Sequence, residues 1–242
     1  AWSDPVYRQT ALIVLSTLFL GAGIVYFLRR KNYYFVTAWA SIKSWIFAAP
    51  LLFILFSFPA PGPLIVLTFA GIYGAKAFFQ ILGMYQRSYF VLICYAGIYA
   101  LALSAYFGRL DLYNQIPVLV LGISCLVPLL RNSYSQMTQF ISLTLLGFIF
   151  LGWSFMHLAL VLKFPSGLYQ ILYLVTLTEF CDNTNLALSY HLRGPKPFSH
   201  IDHKRTYAST AVSFLLTFLL AGLMRSLLPD DAENYWLQAG LV

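Results

Sequence analysis

TALIVLSTLFLGAGIVYFL, residues 10–28, carries no charged side chain and runs straight into Arg29-Arg30-Lys31. About 20 apolar residues are needed to cross the hydrocarbon core of a bilayer, so this run is long enough to span one. It has no A-x-A cleavage pattern, and its basic cluster follows the apolar run. A secretory signal has the reverse order, so the run predicts a retained transmembrane helix. The first residue is not Met, so the start reads as trimmed or processed.

The composition of the whole chain agrees. It is 60% hydrophobic and 10% charged, whereas roughly a quarter of a soluble domain is charged. The net charge of +7 does not require a nucleic acid partner, because basic residues in a membrane protein first of all set its orientation. Cys94, Cys125 and Cys181 lie in apolar segments without CxxC spacing. They read as small buried residues, neither a disulfide framework nor a zinc site.

Apolar runs predict eight spans, at 10–28, 44–58, 64–80, 88–107, 115–130, 137–162, 167–190 and 209–228. Pro50 interrupts the second and makes it short. Before it, Tyr33–Ser44 is more amphipathic, with Trp39 and Lys43, and reads as an interfacial helix. PAPGP at 59–63 is a tight turn. The glycine pairs Gly21/Gly23, Gly71/Gly74 and Gly147/Gly152 read as helix-packing positions. The fold class is an all-α polytopic helical bundle forming one membrane domain over residues 1–242.

With the N-terminus outside, the inner loops collect Arg29, Arg30, Lys31, Lys43, Arg87, Arg131, Arg193, Lys196, Lys204 and Arg205. The outer loops collect only Arg8, Arg109, Lys163 and Arg225. This positive-inside bias puts loop 191–208 in the cytoplasm, where nucleotides are.

The chemistry concentrates in residues 178–210, TEFCDNTNLALSYHLRGPKPFSHIDHKRTYAST. Ionisable groups in a membrane segment are costly and therefore functional candidates. Glu179 and Asp182 are spaced i, i+3 and share a helix face, and Asn183, Asn185 and Ser189 extend the polar patch. Hard oxygen ligands of this kind suit Mg²⁺, which takes one or two carboxylates and fills its other positions with water and phosphate. Glu179 has a structural alternative, pairing with Lys76. The loop carries Arg193, Lys196, Lys204, Arg205 and Thr206, a set that suits phosphate oxygens. Basic cytoplasmic loops also serve topology and touch anionic lipids. His200 and His203 form an HxxH with His191 upstream, too few ligands for zinc or di-iron chemistry. His157 reads as hydrogen-bonded within the bundle. GxSxG, Walker A and GxGxxG patterns do not occur.

The stretch from Asp182 to Thr206 resembles the phosphatidate cytidylyltransferase (CDP-diacylglycerol synthase) family. Asp182-Asn183 resembles the acidic start of its pattern, and Arg193-Gly194-Pro195-Lys196 its small basic turn. Asp202-His203-Lys204-Arg205-Thr206-Tyr207 resembles its S-P-K-K-T-W box, with Asp202-His203 in place of Ser-Pro and Ala208-Ser209 in place of the following Glu-Gly. The family's C-terminal signature, a run like S-x-x-K-R-x-x-x-x-K-D, is not among these residues. The sequence therefore reads as a fragment, or as a shortened relative incomplete for catalysis.

The resemblance implies an integral protein of a bacterial-type inner or cell membrane, active as a homodimer on CTP and phosphatidate with Mg²⁺. Asp182 would be catalytic and metal-binding, with Glu179 beside it. Asn183, Arg193, Lys196, Lys204, Arg205 and Thr206 would bind substrate. A degenerate paralogue, a membrane transporter and a CTP-dependent lipid or polyprenol kinase are the alternatives.

Overall fold

The computed structural model describes residues 2–29, 34–59, 61–84, 88–132, 136–189, 191–192, 194–197, 199–200, 202 and 204–228. All regular structure among them is helical: α1 (Pro5–Leu28), α2 (Tyr34–Phe56), α3 (Gly62–Ile81), α4 (Ser88–Phe107), α5 (Leu110–Leu130), α6 (Met137–Gly147), α7 (Phe155–Val161), α8 (Gly167–Ser189) and α9 (Tyr207–Leu223). A π-helical stretch, Phe148–Ser154, joins α6 to α7, so that Met137–Val161 is one continuous rod.

Each predicted span therefore has a helix. Five are long and apolar enough to cross a membrane: Pro5–Phe27, Gly62–Ile81, Ser88–Phe107, Leu110–Leu130 and Met137–Val161. The apolar parts of α2 and α9, Ile42–Phe56 and Tyr207–Leu223, are shorter. Helix α8 has the length, but Thr176, Thr178, Glu179, Asp182, Asn183 and Asn185 lower its hydropathy. Large apolar side chains such as Leu12, Phe69, Leu129 and Leu223 are exposed. A soluble surface rarely carries so many, whereas lipid accepts them.

One prediction is corrected. Tyr33–Ser44 is not a separate interfacial helix; from Tyr34 it is the first half of α2, which continues unbroken to Phe56. Pro50 sits inside that helix without ending it. A proline removes one backbone donor, and in a membrane helix its neighbours can re-satisfy the freed carbonyl.

The described residues form two compact units, Ala1–Ser57 with Pro165–Val242, and Phe58–Phe164. In the second, α3 and α5 pack on α4, and the α6–π–α7 rod packs against α3 and α4. Phe79, Ile98, Leu101, Tyr113, Phe148 and Met156 are fully buried there. Gly97 permits the close approach of α4 to the π-helical stretch. A Cβ added there would lie 2.6 Å from the Phe148 ring and 2.8 Å from Val120. Gly71, Gly147 and Gly152 are close-packed as predicted. Gly21 and Gly23 are not: an added Cβ at either meets no atom within 4 Å.

The first unit holds the acidic helix and the basic loop. Helix α1 pairs with α2, α8 with α9, and α2 with α8. Asp4 caps α1 by accepting from the Val6 N–H at 2.9 Å, with Pro5 at the first helical position, a residue pair favoured at helix starts. The Tyr169 hydroxyl donates to the same carboxylate, and the Tyr7 hydroxyl to the Phe53 carbonyl. The starts of α1 and α8 and the end of α2 thus lie at one end of this unit. At the other end of α1, the Arg29 guanidinium lies 4.1 Å from the Tyr26 ring centroid and 4.5 Å from that of Trp39 on α2, cation–π contacts that tie the pair together. Tyr173, Leu177, Ala221, Met224 and Leu227 form the apolar core between α8, α9 and the 3₁₀ turn that follows.

Candidate functional site

The polar residues of α8 divide among three directions around the helix. Glu179 and Asn183 form one turn, with the Asn183 amide donating to the Glu179 carbonyl at 2.8 Å and to its carboxylate at 3.4 Å. The Trp45 side chain of α2 also interacts with that carboxylate. Asn185 points the other way, into α9. It accepts from the Ser209 hydroxyl at 2.8 Å and donates to the Thr210 hydroxyl at 3.3 Å. Asp182 lies between these faces and meets the loop.

Arg205 makes that meeting. Its guanidinium pairs with the Asp182 carboxylate through one terminal nitrogen and with Asp202 through Nε at 3.0 Å. The planar fork of Arg suits such a double role, because its donors point in fixed divergent directions. The Asp182 side chain is 55% exposed and that of Arg205 41%. The pair is therefore screened by solvent and adds little to stability. One Asp182 oxygen is taken by Arg205, and the half-exposed side chain leaves the other side of the carboxylate open to a ligand. Asp202 also accepts from the Lys204 N–H at 2.9 Å. That bond, with help from the Arg205 N–H and the Arg205 charge, holds its carboxyl below the usual carboxylate range. A lowered pKa means that the clamp is complete above the unperturbed value of 3.8 and fails only as pH falls through the lower folded value.

The loop is pinned at its neck. The Thr206 hydroxyl donates to the Leu192 carbonyl at 2.8 Å, and the Tyr207 N–H donates to the Pro195 carbonyl at 3.1 Å. Thr206 also caps α9. Its hydroxyl accepts from the Ser209 N–H at 3.2 Å, and the Ser209 hydroxyl accepts from the Thr206 N–H at 3.1 Å, a reciprocal capping box. Lys196 and Lys204 are exposed on either side of this neck. Among the described residues neither ammonium has an ion-pair partner.

Of the sequence-predicted site residues, Asp182 and Arg205 are brought into contact, Glu179 and Asn183 lie on the adjoining side of α8 toward α2, and Lys196 and Lys204 are exposed on the loop. Arg193 lies outside the described residues, as does His203. Thr206 is 3% exposed with its hydroxyl committed to the neck and the cap, so it orders the loop. Asp202 was missed by sequence reasoning, although its spacing i, i+3 from Arg205 hinted at a pair. Among the described residues no three His, Cys, Asp or Glu side chains gather as a metal cage. His157 is held by the Trp153 carbonyl at 2.7 Å and lies 3.3 Å from the Tyr113 hydroxyl, as expected of a bundle histidine. Cys94, Cys125 and Cys181 are free thiols.

Asn185 is the keystone of the α8–α9 packing. It is 5% exposed, and its loss removes two hydrogen bonds across the helix pair, although the Ser209 and Thr210 hydroxyls can still donate to the Thr206 carbonyl. Asn185→Ala should cost about 1–2 kcal/mol, the net worth of two ordinary hydrogen bonds. The expected result is a lower thermal unfolding midpoint in detergent. An unchanged midpoint would mean that the α8–α9 contact does not depend on this network.

Comparison with known proteins adds one finding. The family model for the cytidylyltransferase family matches residues 38–242, from within α2 onward, and so includes every candidate residue above. No curated protein and no solved structure matches the chain.

Proposed function

The chain belongs to the cytidylyltransferase family, and we propose that it transfers the cytidylyl group of CTP to phosphatidate. An oxygen of the lipid phosphate attacks the α-phosphorus of CTP. The bond from that phosphorus to the β-phosphate breaks, and pyrophosphate leaves. CDP-diacylglycerol is the lipid product.

The observation that carries this reading is the Asp182–Arg205–Asp202 arrangement, flanked by Lys196 and Lys204. Phosphoryl chemistry asks a protein chiefly to position phosphates and to neutralise their charge. Lys196 and Lys204 are cations free to do so, and Arg205 is a planar donor held in place by two carboxylates. Glu179 stands one turn before Asp182 on the same helix, and Asn183 follows it directly. Thr206 sets the loop neck, so its part is positioning.

The donor set suits a divalent cation such as Mg²⁺. Asp182, with Glu179 beside it, would hold the ion through hard oxygens that need little desolvation, and phosphate and water would complete the shell. When bound, such an ion supplies charge neutralisation on the transferring phosphates. The reading further places loop 191–208 on the cytoplasmic face, where CTP arrives from solution and the lipid laterally from the bilayer.

The test is an assay of the full-length protein in mixed micelles with phosphatidate and CTP labelled at either the α- or the γ-phosphate. The α-label is expected in the lipid and the γ-label in pyrophosphate. A γ-label in the lipid would identify a kinase. No label in lipid from either substrate would overturn transfer chemistry altogether.

A further inference from the structure

Between α1, α2 and α8 lies a cavity of about 400 Å³, within the usual range for a ligand site. It belongs wholly to the first compact unit. Ile13 and Leu18 of α1, Leu52 and Phe56 of α2, and Leu172 and Val175 of α8 make much of its wall. Thr17 of α1 and Thr176 of α8 line it, and Glu179, Asn183 and Thr184 line it together with Trp45 of α2 nearer the acidic site.

Two features identify the occupant. The first is shape. The cavity follows α8 from Leu172 to Leu188, about 24 Å of helix at a 1.5 Å rise per residue. One leaflet of a bilayer contributes about 15 Å of hydrocarbon, half the thickness of the core. The part from Asn183 to Leu172 is about 16 Å of that helix, so an acyl chain entering at the Asn183 level and running toward Leu172 and Phe56 fits lengthwise. The second is polarity. Leu172 and Val175 line the stretch toward Tyr169, away from the loop, and Glu179 and Asn183 line the stretch next to Asp182 in the chain, with Ala187 and Leu188 beyond them.

We propose that this cavity is the slot for one acyl chain of the lipid substrate, with the glycerol end at Trp45, Glu179 and Asn183. The proposal rests on the cytidylyltransferase reading, and it adds a specificity determinant that includes α1, which precedes the matched residues. Chain length is then read by how far toward Leu172 and Phe56 the slot stays open.

Gly21 supplies the test. It lines the cavity, and a Cβ added there meets no atom within 4 Å. Gly21 stands near the Arg29–Trp39 end of the α1–α2 pair, level with Trp45, so Gly21→Phe should obstruct the slot at its glycerol end. The variant should raise KM for phosphatidate by about tenfold, at long and short chain lengths alike, the equivalent of roughly two methylenes kept from burial, and leave KM for CTP unchanged. A phosphatidate with a diazirine in its acyl chain should label residues of α1, α2 and α8 lining the cavity in the full-length protein. Unlabelled phosphatidate should suppress that labelling, and phosphatidylcholine at the same concentration should not. An unaltered KM for phosphatidate in Gly21→Phe, or labelling spread evenly over lipid-facing helices, would overturn the slot while leaving cytidylyl transfer standing. Absence of transfer by the wild type would instead overturn the function, and the labelling pattern would then judge the slot by itself.

Discussion

Asp182→Asn should reduce CTP-dependent turnover on the order of a thousandfold or more, while the protein folds and inserts normally. The two halves of this expectation have different physical sources. The stability half follows from exposure. The Asp182–Arg205 pair is about half solvated, and pairs of that kind contribute about 0–1 kcal/mol. The loop keeps its neck through Thr206 and Pro195 and its remaining clamp through Asp202. The activity half follows from charge. An amide keeps the size of the side chain and loses its anion, so it neither holds a divalent cation nor orients Arg205 as a carboxylate does. Removing one preorganised electrostatic partner of a transition state typically costs a hundred- to a thousandfold, and Asp182 would serve two partners at once. Steady-state kinetics with CTP and phosphatidate, read beside the thermal midpoint, check both halves. Near-normal turnover in Asp182→Asn would remove Asp182 from the site.

The all-helical architecture was legible because an apolar run of spanning length has few stable places outside a bilayer: every predicted run is a helix, and five of the eight are long and apolar enough to cross a membrane among the described residues. What misled was local. Pro50 looked like a boundary because its missing N–H breaks soluble helices, yet α2 passes through it. Gly21 and Gly23 looked like packing positions, whereas spacing alone cannot tell a helix contact from the open wall of a cavity. Gly97 carried no such pattern and makes the tightest approach of all. The acidic helix was legible as chemistry from the rarity of its charges. Its division was not, because Glu179, Asp182 and Asn185 separate only when α2, the loop and α9 occupy three sides of α8. Thr206 shows the same limit. A hydroxyl beside Lys204 and Arg205 reads as a phosphate ligand, but Ser209 three residues on makes it half of a capping box. That T-x-x-S spacing was present in the sequence as a signal for the helix start.

Removing the Arg205 guanidinium should move two measurable quantities in opposite directions. Arg205 is the only cation ion-paired with Asp182 among the described residues, so it competes for the carboxylate that would hold a divalent ion. In Arg205→Ala the competitor is gone, and the affinity for Mn²⁺ without nucleotide should rise several-fold, since a nearby positive charge opposes a second one. Turnover should fall by about a hundredfold or more, because the phosphates lose their planar donor. Arg205→Lys should restore little of it. A lysine is a single point charge, and it cannot span Asp182 and Asp202 as the guanidinium fork does. Asp202→Asn should cost less than either, since Asp202 touches the chemistry only through Arg205, and combining it with Arg205→Lys should be less than additive, as for residues acting as one unit. A structural role for Arg205 predicts something else. Metal affinity and turnover would fall together as the loop loosened, and lysine, which keeps the charge, would rescue both. Titration of Mn²⁺ by its paramagnetic signal, alongside kcat/KM for CTP, separates the two cases.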